Sequence, residues 1–308
     1  MLKKSVHLLI LALSISALSC EFDENSKRLL VKSSGRPGEV LLMMDSVQWK
    51  GELGEALRTV LYQDVPGVSR PEKVFTVRYI EPTLFNSVLN KASNLIFVAT
   101  LDSKTQGGRT VRNFMTENYI QNNPDKFIIS QKDIYASGQD ALYLFSANEE
   151  DLAEKILNNK STIINFFEKK ENDRLMNALY IAKEEKSVTS HMLKTHGFGL
   201  RVPNGYRIEA DDPNFMWLRS VGETDKNIFV SYREYTSEKV FENANLIGLR
   251  DSITRLNIFD DPENDNSYTK VDTLNLETEF ITTKFQGNYA KRIRGIWKAN
   301  NLTIGGSF

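Results

Sequence analysis

Cysteine is nearly missing from this sequence: there is one in 308 residues, at position 20. The folded part therefore holds no disulfide, no thiol nucleophile and no thiolate-bound metal, and its stability must come from core burial. A second apolar stretch is also missing. Beyond the first twenty residues, no run approaches the ~20 residues needed to cross a bilayer. There is no surplus of positive charge either. Without residues 1–19 the chain carries 37 Lys and Arg against 40 Asp and Glu. A nucleic-acid binder would show a basic excess or stripe, so nucleic acid is not an expected partner. Gly-x-Ser-x-Gly, Gly-x-Gly-x-x-Gly and a phosphate loop ending in Lys-Ser/Thr are all absent, which removes the usual serine-hydrolase and nucleotide signatures.

The N-terminus is informative. Lys3 and Lys4 precede an apolar stretch from about Val6 to Ala17, and Ser19 is small. Charge, apolar stretch and cleavage site are the order of an export signal. Ala17-Leu18-Ser19-Cys20 resembles the lipobox of bacterial lipoproteins, with Ala17 where Leu is commonest. That resemblance implies cleavage before Cys20 and a diacylglyceryl thioether on its sulfur, the chain's expected lipidation site. The alternative is an ordinary secretory leader with an incidental cysteine. Glu21-Phe22-Asp23-Glu24 follows directly. Acidic residues there resemble the export signal of Bacteroidetes-type outer-membrane lipoproteins, or else form a solvated tether. The expected location is the cell envelope, lipid-anchored, outer membrane ahead of inner, with periplasmic and surface facing both open.

Four segments are expected: a signal peptide at 1–19, a lipidated tether at 20–34, a mixed α/β lobe at 35–185 ending in a long helix, and an α+β lobe at 186–308 rich in antiparallel strands. In the first lobe, short apolar runs bounded by turn residues predict strands at Glu39–Asp45, Val74–Ile80, Asn94–Leu101, Phe127–Ser130 and Ala141–Ser146. Helical spacing marks Gly51–Gln63 and Thr110–Tyr119. A longer helix, capped by Ser146 or Asn148, runs to about Lys183 with a break near Lys160–Ser161 or Asn172. In the second lobe, strands are expected at Phe198–Val202, Tyr206–Ala210, Phe215–Val221 and Ile228–Tyr235. A helix at Lys239–Leu256 and strands at Phe280–Phe285, Tyr289–Trp297 and Leu302–Phe308 follow. The fold class is α+β (mixed α/β), two lobes joined by a long helix. Phe308 falls inside a strand-like run, so the C-terminal lobe is expected to continue past it.

Candidate chemistry is thin. His191 and His196 are the only histidines after cleavage. They lie five apart on an expected loop, whereas a zinc helix places its pair at i, i+4. Gly51-x-x-Gly54 could open an anion-binding helix start, but more simply breaks the chain and lets it pack closely. Asp261, Glu263, Asp265, Ser267 and Asp272 follow calcium-loop spacing, yet Asn266 stands where Gly is needed and Asp272 where a bidentate Glu is needed. No cofactor or metal is expected. Phe198, Tyr206, Phe215, Trp217, Phe229, Tyr232 and Tyr235 read as core ahead of a ligand platform.

Several segments in order carry a family resemblance. They are Ser34-Gly35-Arg36-Pro37-Gly38-Glu39-Val40, Trp49-x-Gly51-x-x-Gly54, Phe198-x-x-x-Val202-Pro203-x-Gly205-Tyr206, Phe215-x-Trp217-Leu218 and Arg294-Gly295-x-Trp297. Together they resemble an uncharacterised family of Bacteroidetes lipoproteins, a domain of unknown function (number 4837), along nearly the whole mature chain. That resemblance implies no activity and no catalytic residues. The expected role is a non-enzymatic binding or assembly component, held to the membrane through lipid on Cys20 and meeting an envelope protein or glycan. The alternative is an envelope hydrolase using carboxylates or His191/His196 in a cleft between the lobes.

Overall fold

The computed structural model describes residues 30–115, 126–181, 183–258, 264, 266–301 and 303–308. Cys20 and the leader lie outside these residues, as do positions 116–119 of the expected Thr110–Tyr119 helix; the helix described there runs earlier, Gln106–Arg112. Backbone pairing starts earlier than the expected end of the tether. Ser33 N–H donates to Ser137 O (2.8 Å) and Ser34 N–H to Lys91 O (2.9 Å), so residues 33–34 are tied to the first lobe.

That lobe is a five-stranded sheet. Its elements in chain order are β1 (Glu39–Met43), α1 (Ser46–Lys50), α2 (Glu52–Leu61), β2 (Thr76–Ile80), β3 (Asn94–Thr100), α3 (Gln106–Arg112), β4 (Ile128–Lys132), β5 (Asp140–Ser146) and α4 (Glu149–Asn158). The strand order is β2-β1-β3-β5-β4. All neighbours are parallel except β4, which pairs antiparallel to β5. β3 and β5 are buried at every position, as expected of strands covered on both faces. Ile96 and Val98 face one core with Leu53, Leu57 and Val60 of α2 and Leu152 and Ile156 of α4. Leu95, Phe97 and Ala99 face the other, with Val111 of α3. Asn148 caps α4, its Oδ1 accepting from Asp151 N–H at 2.9 Å.

The long helix is interrupted at Asn159 and resumes as α5 (Lys160–Ile181), about 33 Å long at 1.5 Å per residue. It joins the first lobe to the second and buries only Ile163 and Phe167. The second lobe begins with α6 (Lys186–His196), a helix where a loop was expected. Val188 and Met192 provide its buried face, and Gly197 closes it at φ +73°, a left-handed cap. The sheet β6 (Arg207–Asp212), β7 (Phe215–Ser220), β8 (Lys226–Ser231) is antiparallel in that order. α7 (Asn243–Asn257) follows a 3₁₀ turn. Next come β9 (Thr269–Val271), β10 (Glu279–Phe285), β11 (Asn288–Arg294), β12 (Ile296–Ala299) and β13 (Gly305–Ser307). β10 pairs with β11, and β12 lies between β13 and β9.

Two expected strands differ. Phe198–Val202 is irregular, although Phe198, Leu200 and Val202 all join the core made by Met192, Met216 and Leu218. Their alternation is that of a strand, but the carbonyls are taken up singly and not by a strand: Leu200 O accepts from Thr189 Oγ1 (2.6 Å), Arg201 O from the Tyr180 hydroxyl (3.0 Å) and Val202 O from Glu185 N–H (2.9 Å). Tyr289–Trp297 is divided at Gly295, which exchanges two backbone hydrogen bonds with Phe308. Among the described residues, no helix is long and apolar enough to cross a membrane.

Candidate functional site

Open α/β sheets usually bind ligands outside the carboxyl ends of their strands, where the strand order reverses. Here that edge is knitted together by its own side chains. Ser103 Oγ donates to Asp45 Oδ2 (3.2 Å), Gln48 Nε2 to Thr100 Oγ1 (2.7 Å), and Arg112 to the carbonyls of Thr100 and Ser103 (2.8 and 2.7 Å). The Gly51-x-x-Gly54 segment sits at the same edge. The Glu149 carboxylate already fills the start of α2, accepting from Leu53 N–H at 3.5 Å. A Cβ on Gly54 would stand 1.9 Å from Trp49 O, so this glycine serves close packing.

The opposite edge of the sheet is different. Asn94 and Asp140 open β3 and β5 there, and Glu171 and Arg174 on α5 reach down to them. Arg174 donates to Asp140 Oδ2 (2.6 Å), Asn94 Oδ1 (2.7 Å) and Glu171 Oε1 (2.5 Å). Lys170 adds an ion pair to Asp140 at 3.1 Å. Glu171 also accepts from Gly38 N–H (3.0 Å) and Asn94 Nδ2 (2.7 Å), binding the turn at 35–38 to the helix. This network forms one wall of a cavity of about 570 Å³. The turn 35–38, Val65, Val74 and Phe75 contribute from the first lobe, α5 lies along its length, and Arg292 and Arg294 of β11 close it from the second lobe. Residues 292 and 294 alternate on one face of their strand. The lobes touch beside it: Gly67, at φ +75°, approaches so closely that a Cβ there would be 2.9 Å from Gly295 N.

His191 and His196 come together on a single carboxylate. His191 Nε2 is 2.5 Å from Asp211 Oδ2, and His196 Nε2 is 2.6 Å from Asp211 Oδ1. The His196 ring is almost fully enclosed, and its Nδ1 lies 3.1 Å from the Tyr232 hydroxyl, which donates to Pro213 O at 2.5 Å. Hydrogen bonds from His191 and then His196 hold the Asp211 carboxyl below its ordinary value. A base with its orienting acid is two-thirds of a hydrolytic triad. However, the pair lies on α6 and β6, outside the cavity between the lobes, so His191 and His196 do not meet in that cleft; the carboxylates that line it are Glu168 and Glu171. Asp211 was not singled out in the sequence, being one of 40 acidic residues.

Among the described residues, no group of three or more His, Cys, Asp or Glu is arranged to hold a metal ion. In the calcium-spaced loop, Asp261, Glu263 and Asp265 lie outside the described residues. Asp272 is committed to the fold. It accepts from Asn275 N–H and Nδ2 and from Lys298 Nζ (3.0 Å), and its carboxyl is held down to about 2, chiefly by Asn275. The aromatic set divides. Phe198, Tyr206 and Phe215 join or border the core, Trp217 is half-buried with its Nε1 donating to Asn227 Oδ1 (2.8 Å), and Phe229, Tyr232 and Tyr235 stay exposed.

Comparison with known families assigns the two halves separately. Residues 184–308 match a domain of unknown function (DUF4837). Residues 33–180 match another domain of unknown function (DUF8532). The resemblance read along the whole mature chain is corrected accordingly. Phe198–Tyr206, Phe215–Leu218 and Arg294–Trp297 fall within the DUF4837 match, whereas Ser34–Val40 and Trp49–Gly54 fall within the DUF8532 match. The earlier motifs serve the parallel sheet and its helices, a different packing unit from the antiparallel sheets of the DUF4837 region. No curated protein and no solved structure matches the chain. The cavity is therefore built from both matched regions, with 35–38, 65–75 and α5 on one side and β11 on the other.

Proposed function

We propose that this chain is an exported lipoprotein of the cell envelope, anchored through acyl chains on Cys20, that works by binding and not by catalysis. The observation carrying the binding role is the cleft between the two matched regions. Its lining includes Arg36, Arg292 and Arg294, none of which makes a side-chain hydrogen bond or ion pair among the described residues. Charged groups at a protein surface cleft that lack internal partners are available to a ligand. The anchor rests on the leader: two lysines, an apolar stretch and a small residue before the chain's one cysteine. Two acyl chains would hold it stably, since each buried CH₂ contributes ~0.8 kcal/mol. Glu21, Asp23 and Glu24 favour the outer membrane in a Bacteroidetes-type envelope, with an envelope protein or glycan as the partner class.

Cys20→Ser in the native host, with radioactive fatty-acid labelling, tests the anchor. The variant should lose the label and move to the soluble fraction. Equal labelling of variant and wild type would sink it.

A further inference from the structure

We propose that the cleft binds a phosphate monoester carried on an apolar stem, with Arg36, Arg292 and Arg294 holding the phosphate and the floor of the cavity holding the stem. This rests on the reading of the cleft as the binding site and names its ligand.

The charge of the lining comes first. Four arginines face two glutamates, a surplus of two positive charges. Arg174 and Glu171 neutralise each other within the network at the sheet edge. Glu168 is the remaining carboxylate, set against three guanidinium groups without partners. A guanidinium stays charged at any physiological pH, and its planar fork matches phosphate and carboxylate oxygens two at a time. A phosphate monoester carries about −1.5 to −2 at pH 7, close to the surplus, whereas a carboxylate supplies only half of it.

The geometry points the same way. Arg292 and Arg294 project from one face of β11, and Arg36 stands across from them on the turn that Glu171 pins to α5. The turn and the strand belong to different lobes, and the lobes meet beside the cavity where Gly67 approaches Arg294 and Gly295. The arginines are thus held by backbone that is already placed, which lowers the ordering cost of binding.

The floor is apolar. Val65, Val74 and Phe75 line it, joined by the exposed Leu175 of α5. An inorganic anion would leave that surface wet, while an alkyl or acyl stem would cover it. A volume of about 570 Å³ falls in the range of small-molecule sites, roughly 300–1,000 Å³.

The test is calorimetric titration of the full chain carrying Cys20→Ser, which removes the acyl acceptor and leaves the described residues unchanged. The probes are dodecyl phosphate, dodecanoate and dodecyl maltoside below their micellar concentrations, and inorganic phosphate. Dodecyl phosphate should bind tightest, with the neutral maltoside and inorganic phosphate each weaker by about tenfold or more. The double variant Arg292→Met/Arg294→Met should lose about tenfold or more for dodecyl phosphate. Arg36→Met, on an exposed turn in the other lobe, should lose affinity without changing the thermal unfolding, which separates contact from folding. Equal binding of phosphate and maltoside probes, equal binding of inorganic and dodecyl phosphate, unchanged binding by both variants, or no binding by any probe would each overturn the ligand assignment. Native mass spectrometry of the protein released from its envelope separates this from failure of the binding reading. A neutral adduct displaced by Leu175→Trp would refute the ligand class and keep the cleft as a binding site.

Discussion

Replacing Phe167 with alanine removes a fully buried ring from the helix that joins the two lobes. The ring packs edge-on against Phe75 at 6.0 Å and against Phe166 at 4.9 Å. Phe→Ala in a packed core costs about 3–5 kcal/mol through lost transfer energy and the cavity left behind. Each aromatic contact adds about 0.5–1.5 kcal/mol beyond area. The expected loss is therefore in the upper part of that range, about 5 kcal/mol. Leu175→Ala, two turns further along the same helix, is the control. Leu175 is 55% exposed, so its truncation should stay within about 0.5 kcal/mol. Hydrogen exchange at the amides of β3 and β5 reads this directly, because these strands are buried throughout and report opening of the first lobe. A loss under about 1.5 kcal/mol for Phe167→Ala, or a comparable loss for both substitutions, would refute the assignment of inward and outward faces to α5.

Asp272 should make the second lobe acid-sensitive. Its carboxyl titrates at about 2, against an ordinary 3.8. A depressed acid stabilises fully above its unfolded value, and that contribution fades as pH falls through the folded value. Urea midpoints measured from about pH 4 down to about pH 2 should decline in the wild type and flatten in Asp272→Asn; parallel slopes would exclude this residue as the cause. Gly54→Ala should destabilise despite the ~0.5–1 kcal/mol that alanine normally returns to a helix. The added methyl would meet Trp49 O, and over-packing costs about 1–3 kcal/mol. A raised melting temperature would contradict the close-packing role.

The first lobe was the more legible half. Val40–Met44, Leu95–Ala99 and Ala141–Phe145 are unbroken apolar runs because both faces of a parallel sheet are covered. The break in the long helix was also visible, falling at Asn159 within a polar stretch of the sequence. α6 was hidden because its buried face amounts to Val188 and Met192, too little periodicity to separate a short helix from a polar linker. Phe198–Val202 kept the alternation of a strand without a partner strand to complete it. The candidate cleft was beyond sequence reading. Arg36 and Arg294 sit near opposite ends of the chain, and each looks like an ordinary surface cation until the fold brings them to one cavity. His191 and His196 were visible as a pair, but nothing in their spacing pointed to Asp211.

The touching backbones at Gly67 and Gly295 have a consequence for how this protein can vary. A side chain on Gly67 would force the loop and β11 apart, so the two halves cannot drift independently at that seam. Expressed alone, either half would present one bare side of the seam and a cavity with its opposite wall removed.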